Sequence, residues 1–115
     1  LRIKADNSQS YEPVSRFDSA TGRFVSVPID LSVATDQMFL LAYGTGIRGR
    51  SALSAVSVTI GGTAVPVDYA GLQGDFVGLD QLNIRLLPNL AGRGEVDLVL
   101  TADNAMSNTV RINIK

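Results

Sequence analysis

The sequence predicts an all-β fold, an antiparallel immunoglobulin-like β-sandwich of about seven to eight strands. Apolar and polar side chains alternate along most of the chain, which is the period of a strand with one buried face. Glycine, asparagine and aspartate interrupt this alternation at short intervals, as turns require. No segment has a sustained apolar period of 3.6 residues with caps at both ends, so the only helix expected is one turn within residues 50–55.

Residues 9–17 and 23–31 flank a loop, 18–22, with the composition of a hairpin turn. Phe24 and Ile29 are expected to face inward. Pro13 and Pro28 cannot donate ladder hydrogen bonds, which favours edge strands or bulges. Within a single domain over 1–115, residues 1–30 could belong to the sandwich or form an N-terminal edge hairpin extension. An exposed edge there could pair with another chain.

The run Met38–Tyr43 is entirely apolar and is closed by Gly44, which predicts a central strand buried on both faces. The clearest hairpin follows. Alternating residues in Val56–Ile60 lead to Gly61-Gly62, whose freedom at positive φ suits a type I′ turn, and the pattern continues through Val65 and Val67. The last three strands alternate around Leu82, Ile84 and Leu86, then Val96, Leu98 and Leu100, then Val110, Ile112 and Ile114.

Composition excludes several classes of function. Ten basic and eleven acidic residues are interspersed and give a net charge of -1, so neither nucleic acid nor an anionic membrane is an expected partner. No apolar run of about 18 residues is present, which predicts no membrane insertion. The chain has no cysteine and no histidine, which rules out Ser-His-Asp and Cys-His nucleophilic sites and imidazole-based zinc sites. We therefore expect no enzyme activity and no cofactor.

Several short motifs follow one another in a fixed order along the chain. They are FLLAYGTG (39–46), VSVTIGG (56–62), Tyr69-Ala70-Gly71, GLDQLN (78–83), Leu90-Ala91-Gly92 and Ser107-Asn108-Thr109-Val110. This order resembles that of the Solibacter-type C-terminal domain of acidobacterial exported proteins, which is itself similar to the IPT/TIG immunoglobulin-like modules, and the resemblance covers residues from about Pro28 to the C-terminus. It implies a secreted or cell-surface location and an accessory role, but no catalytic residue. Together with the start at Leu1, it predicts a piece from the C-terminal end of a longer protein.

Residues 44–49 fit G-x-G-x-x-G directly after a predicted strand, with Asp68 near the position of a ribose-binding carboxylate. The dinucleotide motif needs a helix to begin at its last glycine, whereas the chain returns to a strand by Ala55. A glycine-rich strand exit is the better interpretation. Arg48 and Arg50 in this loop could bind an anionic group of a partner, or could be solvated or ion-paired within the domain.

A second candidate region is the predicted loop Tyr69–Leu79. Asp68, Asp75 and Asp80 border or occupy it, and oxygen-rich loops of extracellular domains can bind calcium. Phe76 is predicted to be exposed at its tip, where it could contact a partner or a carbohydrate, or fold back over the sandwich end. Turn and capping roles are the competing interpretation for the carboxylates, above all for Asp80 at the start of a strand.

Glu95 and Asp97 lie two residues apart on one predicted strand, about 6 to 7 Å between their backbones, near the spacing of glycosidase carboxylates. Since Val96 and Leu98 alternate with them toward the core, the pair is expected on the outer face and not in a cleft. The sequence thus favours a non-catalytic accessory or structural interaction module of a large exported bacterial protein. Its expected partners are neighbouring domains of the same polypeptide or an extracellular surface partner. The alternatives are a carbohydrate- or calcium-binding module and a hydrolase with paired carboxylates, and the candidate interaction residues are Arg48, Arg50, Asp75, Phe76 and Asp80.

Overall fold

A computed structural model describes all residues, 1–115, and is built from antiparallel β-sheets. Strands account for 50% of the residues, and the only helical segments are 3-10 turns at Leu53–Ala55 and Pro88–Leu90, so the predicted all-β class is confirmed. No helix has the length and apolar character needed to cross a bilayer. The strands are β1 (Arg2–Ile3), β2 (Gln9–Ser10), β3 (Ser15–Asp18), β4 (Arg23–Ser26), β5 (Gln37–Gly44), β6 (Val56–Ile60), β7 (Thr63–Val65), β8 (Val67–Leu72), β9 (Asp80–Leu86), β10 (Gly94–Ala102), β11 (Ala105–Met106) and β12 (Val110–Ile114).

The first sheet has the order β2-β1-β5-β9-β8. β5 pairs with β9 along its length from Met38↔Leu86 to Gly44↔Asp80, whereas β1 pairs with only the first two residues of β5. The apolar run of β5 is therefore central, as predicted. It is not buried on both faces, because no second layer covers its outer side and Tyr43 there is 57% exposed.

The second sheet has the order β7-β6-β10, with β11 and β12 sharing the other edge of β10. Gly61 and Gly62 join β6 to β7 with φ values of 57° and 79°, the pair of positive angles that a type I′ turn needs. Beyond β12, Ile29 forms an isolated parallel bridge with Ile114. Its amide donates to Asn113 O, and its carbonyl accepts from the Lys115 amide.

One hydrophobic core lies between the two sheets, an arrangement consistent with a β-sandwich. Alternate residues of the paired strands supply it, because successive side chains of a strand point to opposite faces. Ile60 and Ile114 come from the second sheet and Ile84 from the first, and all three are completely buried. Ile29 belongs to this core as predicted, so residues near position 30 pack within the fold.

Two sequence predictions are wrong in the segment between the sheets. Val67 does not extend the glycine hairpin but begins β8 in the first sheet, because Pro66 has no amide hydrogen to continue the ladder. Residues 69–72, predicted as loop, continue β8 alongside β9 after a bulge between Val67 and Tyr69. The loop is consequently shorter than predicted and covers residues 73–79.

The N-terminal hairpin is present but forms a separate two-stranded sheet, β3 with β4. Phe24 was expected to face inward and is instead 76% exposed. Because the hairpin belongs to neither large sheet, Phe24 packs edge-to-face on exposed Phe17 across the hairpin, with ring centroids 5.5 Å apart.

Candidate functional site

The most distinctive surface feature is a groove beside β5, next to the point where Leu1 pairs with Phe39. β1 covers β5 only as far as Phe39, where the Leu1 amino group donates to Phe39 O and the Phe39 amide donates to Leu1 O, both at 2.8 Å. No strand pairs with residues 40–44 on this edge. The backbone groups of Leu41 and Tyr43 point the same way as those of Phe39, since strand geometry repeats every two residues. They make no hydrogen bond to another strand on that side.

This apolar groove has a volume of about 480 Å³ and lies along residues 38–43 of β5, and we call it the edge groove. One wall is β5 itself, and the other is formed by residues 11–14 and 27–29 of the N-terminal segment. Inward-facing Met38 and Leu40 line it together with outward-facing Leu41 and Tyr43, so the groove lies at the strand edge and not on one sheet face. The other lining residues are Leu1, Tyr11, Glu12, Pro13, Val14, Val27, Pro28, Ile29, Phe39 and Leu86.

A buried arginine attaches the outer wall of the edge groove to the sheet. Arg2 donates to both carboxylate oxygens of Glu12, at 2.5 and 3.2 Å, to Asp36 Oδ2 at 3.0 Å and to Asp30 O at 2.9 Å. The hydrogen bond from Arg2 lowers the pKa of Glu12. Glu12 is the one charged side chain of the groove lining, and both its oxygens are occupied by Arg2, which leaves the groove apolar in character.

The exposed β3-β4 hairpin continues from this wall. Tyr11 at the groove and the Phe17–Phe24 pair on the hairpin are all largely exposed. The base of the hairpin is attached to the second sheet by a hydrogen bond from Ser26 Oγ to Glu95. Exposed aromatic side chains beside an apolar groove are typical of a surface that contacts another molecule.

The G-x-G-x-x-G loop is fixed by Asp80. Oδ2 of this fully buried carboxylate accepts the amides of Ile47 and Arg48, at 2.7 and 3.0 Å, and Oδ1 accepts Arg48 Nε at 2.6 Å. Burial raises the pKa of Asp80, but the hydrogen bonds from Arg48 and Ile47 outweigh it and hold the pKa below its usual value. Through these contacts Asp80, the first residue of β9, attaches the loop to that strand, and no helix begins at Gly49.

The other predicted interaction residues do not gather into one site. Arg50 Nε donates to Ala70 O at 2.7 Å, which ties its guanidinium to β8. Asp75 lies in the 73–79 loop, where its amide donates to the Gln73 side chain. Phe76 is exposed at the tip of that loop, next to the still more exposed Val77.

The carboxylates considered for calcium or for hydrolysis are separated in the structure. Asp68 pairs with Arg85 at 2.7 Å on the outer face of the first sheet, away from buried Asp80. No group of three potential metal-ligating side chains is present. Glu95 and Asp97 are exposed on β10 as expected, with Asp97 paired to Arg111 at 3.0 Å, and neither lines the edge groove.

No protein-family model, curated protein or solved structure matches this chain. The resemblance to the Solibacter-type domain therefore stays a prediction from the sequence motifs. Sequence reasoning missed the edge groove, although one signal was present. The continuous apolar run Met38–Tyr43 carries more apolar side chains than the core-facing side of one strand can bury.

Proposed function

We propose that this chain is an immunoglobulin-like, non-catalytic module that binds another polypeptide through the edge groove. The observation that carries the proposal is the apolar groove of about 480 Å³ between β5 and residues 11–14 and 27–29. Its size lies within the range of about 300–1,000 Å³ common for ligand sites. Its lining is apolar, and its one carboxylate is occupied by Arg2, so the site suits a neutral apolar segment better than a reacting substrate.

The strand order supports the immunoglobulin-like part of the proposal. In the immunoglobulin sandwich, strands A, B, E and D form one sheet and strands C, F and G form the other. The order β1-β5-β9-β8 and the order β6-β10-β12 have the same connectivity if β1 is taken as strand A and β5 as strand B. The parallel bridge of Ile29 to β12 would then be the point at which the N-terminal segment crosses to the second sheet.

The setting of the module is a further part of the proposal. On the resemblance to the Solibacter-type domain, we place it in a large exported bacterial protein, where it is secreted or displayed at the cell surface. Neighbouring domains or an extracellular surface partner would supply the bound segment. The near-neutral charge is compatible with recognition by apolar contact and hydrogen bonding, without strong electrostatic steering.

Selection from a phage-displayed random-peptide library tests the binding function. Peptides selected on the folded chain should bind it in solution and should lose affinity for Val14→Lys, which places a charge in the groove wall. Val14 is exposed and only its backbone carbonyl is used within the fold, accepting from the Val27 amide, so this variant should fold normally. Val77→Lys, at the exposed 73–79 loop, is the matched control. Selected peptides that bind the parent and Val14→Lys equally would contradict the proposal.

A further inference from the structure

The outer face of the first sheet carries tyrosine rings and side-chain amides side by side, and we infer that it binds a neutral β-linked polysaccharide. The site is separate from the edge groove and goes beyond the proposed function. It is built on β9, which is paired on both sides, together with its neighbours β5 and β8. The even-numbered residues of β9 are buried, so its odd-numbered side chains form the centre of this outer face.

Tyr69 supplies a fixed aromatic surface on one side of this face. Its hydroxyl donates to Leu72 O at 2.5 Å, so the side chain lies along β8 and passes over Gly71. A Cβ at Gly71 would be only 3.1 Å from the Tyr69 hydroxyl, which shows that the ring occupies the space a side chain there would fill. The ring therefore lies against the sheet with its other side open to solvent, and a ligand can pack on it without first ordering it.

Tyr43 supplies a second ring across the sheet. It pairs with Gln81 of β9, and Gly71, which the Tyr69 ring covers, pairs with Gln81 from the other side. The two rings thus lie in one row with a single strand between them, at two strand spacings or about 10 Å. Tyr43 is 57% exposed and Tyr69 is 40% exposed. A sugar chain lying across the strands would contact both rings at once.

Two side-chain amides lie between the rings. Gln81 Nε2 donates to Asn83 Oδ1 at 2.7 Å, and this bond orients both amides on the outer face of β9. The Gln81 Oε1 and Asn83 Nδ2 atoms make no hydrogen bond within the fold and are not sealed from solvent. The pair therefore offers a free acceptor and free donors in a fixed arrangement. Sugar hydroxyls both donate and accept, so they can bond to both groups.

The charge of this face favours a neutral ligand. Only two outward-facing side chains of β5, β8 and β9 are charged, Arg85 and Asp68, and they pair with each other at 2.7 Å. The Arg85 guanidinium also lies over the Phe39 ring, 5.7 Å from its centroid. No unpaired charge remains on these strands to attract an acidic or a basic chain.

The arrangement of rings and amides favours a polysaccharide over a protein partner. The flat side of a β-linked sugar carries C–H groups that pack on aromatic rings, while its hydroxyls lie around the rim and reach the amides. A second folded copy would need an interface of about 800 Å² on each partner with a largely apolar centre. The centre of this face is instead the Gln81–Asn83 amide pair, and its exposed apolar side chains are the two separated tyrosines.

The test is a titration of the full chain with soluble hexasaccharides, followed by NMR. The probes are the β-linked chains of glucose, mannose, xylose and N-acetylglucosamine, with maltohexaose as the α-linked control. At least one β-linked chain should shift the side-chain amide signals of Gln81 and Asn83, and maltohexaose, which coils and cannot lie flat on both rings, should bind much more weakly. Tyr69→Ala should weaken binding by about tenfold or more, because it removes one of the two rings. Phe24→Ala removes an equally accessible ring from the β3-β4 hairpin and should not change the affinity.

Gly71→Ala tests the position of the ring without removing any group that contacts the sugar. Its methyl group would enter the space of the Tyr69 hydroxyl and displace the ring from the sheet, so binding should weaken. Gly49→Ala is the matched control, because a Cβ at Gly49 meets no atom within 4 Å. Val14→Lys, in the wall of the edge groove, should leave sugar binding unchanged, since neither Tyr69 nor Gln81 lines that groove.

The outcomes separate this site from the edge groove. Absence of binding to every β-linked probe at millimolar concentration, or binding that Tyr69→Ala and Gly71→Ala leave unchanged, would overturn the inference. Sugar binding that is lost in Val14→Lys and kept in Tyr69→Ala would place the sugar in the edge groove and would also overturn it. Self-association that shifts the Gln81 and Asn83 amide signals without sugar would assign the face to a second copy. None of these results changes the affinity of library-selected peptides, so the proposed function is tested independently.

Discussion

The most informative single substitution is Arg2→Met, because Arg2 connects the wall of the edge groove to the sheet. Methionine preserves most of the apolar stem and removes the guanidinium with its four hydrogen bonds to Glu12, Asp36 and Asp30. Arg2 and Asp36 are nearly buried, whereas Glu12 is partly exposed and can be rehydrated. Hydrogen bonds to charged groups contribute about 1.5–3 kcal/mol each and breaking a buried ion pair costs about 3–5 kcal/mol, so after allowance for rehydration of Glu12 we expect a loss of about 2–4 kcal/mol.

Urea unfolding measures this loss, and thermal unfolding should show it as a fall of about 8–16 °C, at about 4 °C per kcal/mol for a domain of this size. Arg16→Met is the matched control, since Arg16 lies exposed on the β3-β4 hairpin and makes no side-chain hydrogen bond or ion pair, and it should change stability by less than about 0.5 kcal/mol. Equal stabilities for Arg2→Met and Arg16→Met would refute the assignment of Arg2 as a structural anchor.

The same substitution has a pH signature. Arg2 lowers the folded-state pKa of Glu12 below the ordinary carboxyl pKa of 4.5. The stability that the Arg2–Glu12 pair contributes is therefore complete above pH 4.5 and is lost as the pH falls through the lower folded-state pKa. The stability difference between parent and Arg2→Met should therefore be largest near neutral pH and shrink in acid. A difference that stays constant from pH 7 to below pH 3 would show that the pair with Glu12 contributes nothing. Peptide binding should weaken as well, because the wall that contains Glu12 loses its anchor.

Three further results are expected. Asp80→Asn should lower the urea midpoint near neutral pH, because an amide cannot accept all three donors that the carboxylate accepts, whereas Asp75→Asn should leave it unchanged. Gly61→Ala should cost more than Gly62→Ala in the same assay. Both carry the left-handed strain of about 1–2 kcal/mol, but only a Cβ at Gly61 meets a neighbour, Val96 Cγ1 at 3.2 Å. Millimolar calcium should not raise the melting midpoint measured in excess chelator, and a clear rise would favour the calcium-binding alternative.

The strands with strong alternation were predictable from the sequence because their own residues determine their pattern. Val56–Ile60 with its glycine turn, and the segments around Ile84 and Ile112, all occur as expected. β8 was not predicted, since Asp68 and Gly71 are poor strand residues. It forms because it pairs with β9 along five residues, which is a tertiary effect that local propensity does not contain.

The candidate site was beyond sequence reasoning for a different reason. The edge groove depends on the position of residues 11–14 and 27–29 across from β5, and no local pattern specifies that distance. The sequence identified polar candidate residues but not the contacts between them. Arg48 and Asp80 were both named, but their sequence positions, 32 residues apart, gave no indication that they pair.

The contacts of Arg2 connect the stability of the fold to the shape of the edge groove. Residues 11–14 and 27–29 line the groove opposite β5, and Arg2 attaches this wall to the sheet through Glu12. The same hydrogen bonds occupy both carboxylate oxygens of Glu12, which leaves the groove apolar. Because one set of bonds stabilises the fold and positions the wall, Arg2→Met should reduce stability and peptide affinity together.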